Sequence, residues 1–453
     1  MFPTVMSFCT FFPEKSHNYP NRERGHNNNM SRLAPFLVTF LATATIFSLF
    51  LLYSPNPFLI SPKQGLNDLN SVQNQTSIHA AQKENQAPDR TNIKLLPPPK
   101  KEEECDLFKG HWIPDLRGAM YTNSSCATIP ESKNCFRNGR RDRDFLNWRW
   151  KPDKCELPRF DPKTFLEIVR GKKMAFIGDS VARNHVESLL CLLSQEENPK
   201  DIYKYSDDRF RIWYFPQYDF TLMKLWSKYL IAAEERMVNG SGSGVFDLLL
   251  DKVDDKWAEQ LPELDYAIFS AGHWFFRLMY LHEGDKLTGC VYCNEPNVTE
   301  YNNSQALRMA FRAIFKYIND CKNCKGGLLT LLRTFAPAHF EGGAWNTGGY
   351  CNRTSPLSEG EIDLGRFDWE LRSIQVEEFE RAKKEGEMEG RRFRVLDITR
   401  AMLMRPDGHP GVHWGNKWMK GYNDCVHWCM PGPVDYWNHF LMEIIRNEGG
   451  LVS

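Results

Sequence analysis

Apolar and polar positions outline a strand, a turn and a helix near the middle of the chain. Residues 174–177 form a short apolar run, which is typical of a buried strand. Gly178 and Asp179 break this run, and apolar side chains then recur at helical spacing over residues 181–193. The pattern therefore places Ser180 where a strand turns into a helix.

Similar patterns continue to near the C-terminus. They predict strands at 264–270, 328–334 and 393–398, and helices at 162–170, 304–318, 373–385 and 434–446. Strands that alternate with helices indicate an α/β domain with a mainly parallel sheet, covered by helices on both faces. Reactive groups gather at the carboxyl ends of such strands, which is where Ser180 is expected.

The first hundred residues have a different pattern. Residues 33–53 form an uncharged apolar run that is long enough to cross a bilayer as a helix. Cations precede this run, and the positive-inside tendency then predicts a cytosolic tail at 1–32. A cleaved signal peptide is the alternative, but this run is longer than the usual signal core and begins late. We expect an uncleaved, single-pass type II anchor.

Two segments of unusual composition follow the predicted anchor. Residues 54–104 are rich in Asn, Gln, Ser and Lys and end near a run of prolines, so we predict a disordered stem. Residues 105–160 are dense in Cys, Trp, Gly and Arg and have no long amphipathic helix. We predict a subdomain there that depends on cross-links and on packing against the α/β domain, which we place at 161–453.

Charge and cysteine content bear on the binding partner and the compartment of the protein. The chain has 57 basic and 57 acidic residues, so whole-chain electrostatics do not favour nucleic acid. Of the 13 cysteines, only Cys9 precedes the predicted anchor, and the even remainder is typical of disulfides in an oxidising compartment. Glycosylation acceptors beyond the anchor also fit the secretory pathway: Asn74, Asn123, Asn239, Asn297, Asn302 and Asn352.

Zinc is the rival interpretation for four of the cysteines. Cys290 with Cys293 and Cys321 with Cys324 form two C-x-x-C pairs. These pairs lie farther apart than is usual in zinc sites, and glycosylation acceptors lie between them. We therefore favour disulfides and expect no bound metal.

The serine at the predicted strand-to-helix junction is a candidate nucleophile. A serine at the start of a helix can attack a carbonyl while nearby amides receive the developing oxyanion. Such a serine needs a base with an orienting group, and Asp424 and His427 lie three residues apart before the last predicted helix. Two plainer interpretations stay open: Ser180 as a helix cap, and an exposed loop with an incidental Asp and His.

Other residues are weaker candidates for the same site. Arg183 and Asn184 follow Ser180 by one helical turn and could stabilise an oxyanion, although a structural role fits equally well. His273 follows a predicted strand and could reach the same cleft. Trp345 lies in a glycine-rich loop and could stack on a sugar, but a buried tryptophan in a turn is the alternative.

Several motifs together resemble a known family. An early Gly-Asp-Ser with a late Asp-x-x-His is similar to the GDSL/SGNH hydrolase superfamily. More closely, the chain resembles the plant trichome birefringence-like family, through motifs that begin at Cys105 (CDLF), Trp148 (WRWKP), Gly178 (GDS), Gly272 (GHW), Arg333 (RTF) and Asp424 (DCVHWC). The resemblance implies an SGNH-like three-layer αβα sandwich in a Golgi membrane enzyme with a lumenal catalytic domain.

The resemblance also implies an activity. Members of the family are polysaccharide O-acetyltransferases of the cell wall. The implied reaction is a double displacement, with Ser180 as the nucleophile, His427 as the general base and Asp424 as its orienting partner. Xyloglucan is the favoured acceptor, with mannan and xylan as alternatives. The implied donor is acetyl-CoA or another acetyl carrier, with no resident cofactor.

Further roles follow from the family and from the neighbouring residues. Oxyanion or supporting roles are expected for Asp179, Arg183, Asn184 and Gly272, and substrate contacts for His273, Trp274 and Trp345. The family's disulfides imply the pairs Cys105–Cys155, Cys126–Cys191, Cys135–Cys429 and Cys351–Cys425, and leave the four C-x-x-C cysteines without assigned partners. Two rival functions stay open: an acetylesterase with the same triad, and a non-catalytic protein that binds wall polysaccharides.

Overall fold

The computed structural model describes residues 105–206, 208–415 and 421–449. The predicted tail, anchor and stem lie outside the described residues, as do Cys9 and Asn74. Across the described part of the chain, no helix has both the length and the apolar character that a membrane span needs.

Strands and helices alternate along most of the described chain. In chain order the elements are β1 (Gly110–Pro114), β2 (Trp148–Pro152), α1 (Pro162–Ile168), β3 (Lys173–Gly178), α2 (Ser180–Leu193), β4 (Lys200–Lys204), β5 (Phe210–Phe215), β6 (Phe220–Trp226), β7 (Ile231–Val238), β8 (Ser241–Val253), α3 (Asp255–Ala258), β9 (Tyr266–Ser270), β10 (Met279–Glu283), β11 (Lys286–Val291), α4 (Asn303–Asp320), β12 (Leu329–Arg333), α5 (Phe367–Gly386), β13 (Arg392–Leu396), α6 (Thr399–Leu403) and α7 (Asp435–Glu448).

Seven strands form the main sheet, in the order β13-β12-β9-β3-β6-β5-β4. The first five run parallel, whereas β5 and β4 add an antiparallel edge beside β6. The expected α/β fold is confirmed in this coarse form. β4, β5 and β6 were not predicted from the sequence. Exposure accounts only for β4, in which every residue is exposed, whereas the residues of β5 and β6 are buried or half-buried.

A second sheet of four strands, in the order β11-β10-β8-β7, was also missed by the sequence analysis. Most residues of β7 are exposed or half-buried, and three of its eight positions are charged. The long strand β8 begins with alternating serine and glycine. A strand with so little buried surface carries no clear hydrophobic period.

The main sheet separates two hydrophobic clusters. Along β3, Met174 and Phe176 enter a cluster that includes residues of α2 and α7. Ala175 and Ile177 enter the other cluster, with residues of α4 and α5. Because successive side chains of a strand point to opposite faces, helices cover both faces of this sheet. The double burial explains why β3 is a continuous apolar run in the sequence.

Residues 105–160 pack their aromatic side chains against the C-terminal helices. The small antiparallel sheet of β1 and β2 places Trp112 opposite Trp150, with ring centroids 5.6 Å apart. The Trp150 ring lies 6.3 Å from Phe440 of α7, and Trp112 Nε1 donates to the carbonyl of Ala401 in α6 at 2.8 Å. This segment thus shares the hydrophobic cluster of the α/β elements.

Disulfides cross-link distant parts of the described chain. The pairs implied by the family resemblance are present, namely Cys105–Cys155, Cys126–Cys191, Cys135–Cys429 and Cys351–Cys425. Each C-x-x-C pair closes on itself, as Cys290–Cys293 and Cys321–Cys324. Each of these four sulfurs is therefore bonded to its partner in the same C-x-x-C pair. No cluster of three or more metal-ligating side chains occurs in the described ranges.

Candidate active site

Ser180 lies at the carboxyl edge of the main sheet, where β3 ends. Gly178, the last residue of β3, lies between Ser270 of β9 and Trp226 of β6. A Cβ added at Gly178 would lie 1.8 Å from the Ser270 carbonyl oxygen, and its φ is +151°. Only glycine tolerates this approach and this backbone angle. The chain therefore turns directly from strand to helix, and Ser180 becomes the first residue of α2.

Asp179 is the N-cap of α2. Its Oδ1 accepts the backbone N–H groups of Val181 at 2.9 Å and Ala182 at 3.4 Å. Its Oδ2 lies 3.6 Å from His273 Nδ1. Burial alone would raise the pKa of Asp179, but His273, Arg333 and the Val181 N–H together lower it. The ionised carboxylate thus occupies two amides of the helix start, which makes Asp179 a supporting group.

Asp424 and His427 form a buried hydrogen-bonded pair. His427 Nδ1 donates to Asp424 Oδ2 at 2.9 Å, and the backbone N–H groups of His427 and Val426 donate to Oδ1. Burial alone would raise the pKa of Asp424, but His427 and the two backbone donors lower it to about 2. The carboxylate therefore stays ionised and accepts the hydrogen bond from the Nδ1–H of His427. This bond keeps the proton on Nδ1 and leaves Nε2 as the basic nitrogen.

Disulfides flank this Asp-His turn on both sides of the histidine. Cys425 bonds to Cys351, and Cys429 bonds to Cys135. The turn lies outside the named helices and strands, so these covalent links and the Asp424 hydrogen bonds fix its shape.

Asn184 joins the Asp-His turn to the helix of Ser180. Its Oδ1 accepts the backbone N–H of Trp428 at 2.8 Å, directly after His427. Asn184 is fully buried and lies one helical turn beyond Ser180 on α2. The structure thus places the Asp424–His427 turn against the helix that begins at Ser180, and the Asn184 side chain makes the connecting hydrogen bond.

Gly272 and His273 lie beside the nucleophile turn. Gly272 follows Ser270, the strand partner of Gly178, by two residues, and a Cβ there would lie 2.6 Å from the Phe335 ring. His273 is buried, stacks on Phe335 and donates from Nε2 to the carbonyl of Ala336 at 3.0 Å. The imidazole is therefore engaged inside the protein, where it faces Asp179.

The two candidate sugar-binding tryptophans lie in different surroundings. Trp274 is half-buried, with its ring centroid 6.4 Å from that of Trp226. The guanidinium carbon of Arg277 lies 4.1 Å from the Trp274 ring centroid. Trp345 is 8% exposed and lies 6.0 Å from the Tyr422 ring. Of the two, Trp274 has the larger share of accessible surface.

A cavity of about 270 Å³ lies beside α2. Arg183 lines it, with its Nε 3.9 Å from Glu187 and its guanidinium carbon 5.4 Å from the Trp226 ring centroid. Burial lowers the pKa of Lys133, which pairs with Glu187, to about 8. The other charged lining residues were not predicted from the sequence, namely Lys133, Glu187, Asp208, Arg211 and Lys224.

Two further buried groups support the site, and neither was given a role in it from the sequence. Arg333, at the end of β12, is 2% exposed and contributes to the lowered pKa of Asp179. His409 donates from Nδ1 to the backbone carbonyl of His427 at 2.7 Å. The RTF motif marked Arg333 as part of the resemblance, whereas no spacing or motif marked His409 among the twelve histidines.

Comparison with known families agrees with this geometry. The GDSL/SGNH-like acyl-esterase family found in Pmr5 and Cas1p matches residues 157–444. The chain belongs to this family. The PMR5 N-terminal domain matches residues 103–156, directly before it. The SGNH-like character expected from Ser180 and the Asp-His pair is therefore confirmed at the level of the family.

Relatives of this acyl-esterase family member match between 77% and 98% of the chain. Xyloglucan O-acetyltransferase 4 of Populus trichocarpa is 57% identical over 418 residues, which are 92% of this chain and 93% of that protein. Xyloglucan O-acetyltransferase 2 of Arabidopsis thaliana is 52% identical over 98% of this chain and 99% of its own. Protein trichome birefringence-like 20 of Arabidopsis thaliana is 46% identical, over 77% and 73%. The resemblance to trichome birefringence-like proteins is confirmed.

Proposed function

We propose that this protein is an O-acetyltransferase that transfers acetyl groups to hydroxyls of cell-wall polysaccharides, with xyloglucan as the favoured acceptor. The observation that carries the proposal is the buried Asp424–His427 pair, on a turn that Asn184 ties to the helix beginning at Ser180. Relatives named xyloglucan O-acetyltransferases, at 52% and 57% identity, support the choice of acceptor.

The first half-reaction loads Ser180. His427 Nε2 accepts the Ser180 hydroxyl proton while Oγ attacks the acetyl carbonyl of the donor. The donor's leaving group departs with that proton, and an acetyl ester remains on Ser180. Asp424 accepts the Nδ1–H of His427 throughout, and its ionised carboxylate stabilises the imidazolium.

The second half-reaction transfers the acetyl group to a sugar. A hydroxyl of the acceptor attacks the acetyl carbonyl of Ser180 while His427 takes the hydroxyl proton. The Ser180 oxygen then leaves and regains that proton, so the enzyme returns to its starting state.

Backbone N–H groups are the proposed oxyanion donors. Asp179 already occupies the amides of Val181 and Ala182, and Arg183 extends towards Glu187. The proposed donor group is the backbone N–H of Gly272, because β9 places this residue beside the end of β3.

The proposed donor is acetyl-CoA or another acetyl carrier. The cavity beside α2 supports an anionic donor, because four cationic side chains line it against two carboxylates. A competition experiment tests the point. If these cations hold phosphate groups, free CoA is expected to inhibit transfer from acetyl-CoA.

The proposed location is the Golgi membrane, with a single-pass type II anchor and the catalytic domain in the lumen. The apolar run at 33–53, the disulfides and the exposed glycosylation acceptors Asn123, Asn239, Asn297 and Asn352 support it. Protease protection of the C-terminal part in sealed Golgi vesicles tests the orientation, and enzymatic removal of N-glycans tests the glycosylation.

Acetyl transfer is tested with the full-length enzyme, an acetyl donor, and both bare and acetylated xyloglucan oligosaccharides. Acetylated product from the bare oligosaccharide is expected. Net release of acetate from the acetylated one would instead favour an esterase, which the description of the family also permits. Parallel reactions with mannan and xylan rank the acceptors. A Ser180→Ala variant that keeps full cellular activity would point to a non-catalytic polysaccharide-binding protein.

A further inference from the structure

Three hydrogen bonds run through two buried histidines behind the Asp-His turn. His409 Nδ1 contacts the carbonyl oxygen of His427 at 2.7 Å. His409 Nε2 lies 2.7 Å from His339 Nδ1. His339 Nε2 in turn contacts the carbonyl oxygen of Leu403 at 3.1 Å. Both rings are 5% exposed or less.

A count of protons shows that two neutral rings cannot make all three bonds. A carbonyl oxygen only accepts, so His409 carries a proton on Nδ1 and His339 carries one on Nε2. A neutral imidazole has a single N–H. His409 Nε2 and His339 Nδ1 would then both be unprotonated at a separation of 2.7 Å, and their lone pairs would repel. One additional proton between the rings turns this contact into a hydrogen bond.

We propose that His339 and His409 share one additional proton, and that this histidine pair positions His427 by holding its backbone carbonyl. The inference deepens the proposed function, and it rests on the role of His427 as the general base. His339 and His409 are positioning residues, since both act through His427 and neither is placed in contact with substrate.

The surroundings of the histidine pair contain charges of both signs. Burial is the largest influence on both rings: it holds the pKa of His339 well below its usual value and lowers the pKa of His409 to about 4, although the hydrogen bond to the His427 carbonyl and the Asp424 carboxylate act upward on His409. The Trp428 ring lies 4.1 Å from His409 and tilts by 33° to it, so its face can stabilise a cation. The other facing groups oppose an added positive charge: His427 and Arg140 lower the pKa of His409, and Arg353 and Arg366 lower that of His339. The Arg405–Asp407 ion pair lies on the turn before His409.

The central contact decides between these opposing influences. Without the extra proton, the rings would have to separate or one carbonyl would lose its donor, and the buried polar atoms would stay unsatisfied. The structure keeps all three contacts at hydrogen-bond distance. The shared proton satisfies them together.

The proton is counted by nuclear magnetic resonance of the full-length enzyme labelled with ¹⁵N-histidine. Imidazole ¹⁵N shifts distinguish a bare ring nitrogen from a protonated one. At pH 7 we expect the pair to hold three protons, with one proton coupled to both rings. His339→Gln and His409→Asn assign the signals. Two bare nitrogens in the wild-type pair would overturn the proposal without any variant having to fold.

Kinetics test the positioning role. His409→Ala is expected to lower kcat by about 10- to 100-fold with little change in KM, because small displacements of a general base slow the chemical step. His409→Asn places an amide N–H close to the position of Nδ1 and is expected to restore part of the loss. His282→Asn, on β10, is the control with unchanged kcat. Unchanged kcat in His409→Ala overturns the positioning role.

The two proposals can fail separately. If Ser180→Ala keeps full transferase activity, the proposed function fails, while the proton count on the histidine pair is still measurable. If Ser180→Ala is inactive and the pair proves neutral, only the inference about the histidine pair fails.

Discussion

The two halves of the proposed active site are held by different kinds of structure. Ser180 is placed by regular elements. The strand β3 ends at Gly178, a position that only glycine can occupy, and α2 begins at Ser180. The Asp424–His427 turn has no helix or strand of its own. Disulfides at Cys425 and Cys429 and a network of buried hydrogen bonds fix it instead.

Because of this difference, we expect substitutions to affect the two halves of the proposed active site in different ways. The nucleophile turn depends on backbone geometry, so removing the Ser180 hydroxyl leaves its scaffold intact. The Asp-His turn depends on cross-links and partners, so the loss of one partner disturbs both its position and its stability. Asn184 connects the halves through a single hydrogen bond.

The largest effect is expected for Ser180→Ala. Loss of the nucleophile should reduce acetyl transfer by roughly 10⁴-fold or more, as in other serine triads. Alanine suits the first turn of a helix, so the melting temperature should change little. Intact-mass spectrometry after exposure to an acetyl donor checks the prediction, because the wild type gains one acetyl group on Ser180 and the variant gains none. An acetylated variant would place the nucleophile elsewhere.

A somewhat smaller loss is expected for Asp424→Asn. The amide cannot stabilise the imidazolium and favours the wrong tautomer of His427, which costs about 10⁴-fold in a comparable triad. Steady-state kinetics measure the drop in kcat, and Asp251→Asn on β8 serves as an exposed control. A variant with near-wild-type kcat would mean that Asp424 is only a structural residue of the turn.

The same contrast explains how much the sequence could predict. The strand-turn-helix around Ser180 follows from a continuous apolar run and then from apolar residues at helical spacing. The predicted helix 181–193 matches α2 within one residue. The Asp424–His427 pair was found through spacing and family resemblance. No periodicity applies to an irregular turn, so its fixed geometry could not be derived from the pattern alone.

Buried polar partners were the hardest features to predict. His339 and His409 lie 70 residues apart and meet only in the folded chain. Lys133 is 2% exposed although lysine is among the residues least often buried. Such groups depend on a tertiary partner, and a single sequence does not show which residues meet. The exposed strands β4 and β7 were missed for the opposite reason, because they bury too little to leave a hydrophobic pattern.

Disulfide removal tests whether cross-links hold the Asp-His turn. Replacing both Cys351 and Cys425 with serine opens a link across 74 residues and is expected to cost about 4 kcal/mol in the free energy of unfolding. The matched control replaces Cys321 and Cys324, a link across 3 residues, for which about 2 kcal/mol is expected. Chemical denaturation measures both. Only the first variant should also lose kcat, and equal kcat losses would contradict a special role for the cross-link at the turn.

The smallest effect concerns the acid stability of the Asp-His turn. The pKa of Asp424 falls from 3.8 to about 2 in the folded protein, so its carboxylate stabilises the fold above about pH 4 and that contribution is lost as the pH falls through about 2. The shift corresponds to about 2 kcal/mol. Denaturation of the wild type and Asp424→Asn at several pH values between 6 and 2 measures it. The stability difference between the two proteins should shrink by roughly this amount over that range, since the titrating groups that do not contact Asp424, including Asp179 at the nucleophile turn, contribute to both proteins alike. A difference that stays constant with pH would show that the Asp424 charge adds nothing to the stability of the turn, and that the disulfides and neutral hydrogen bonds hold it alone.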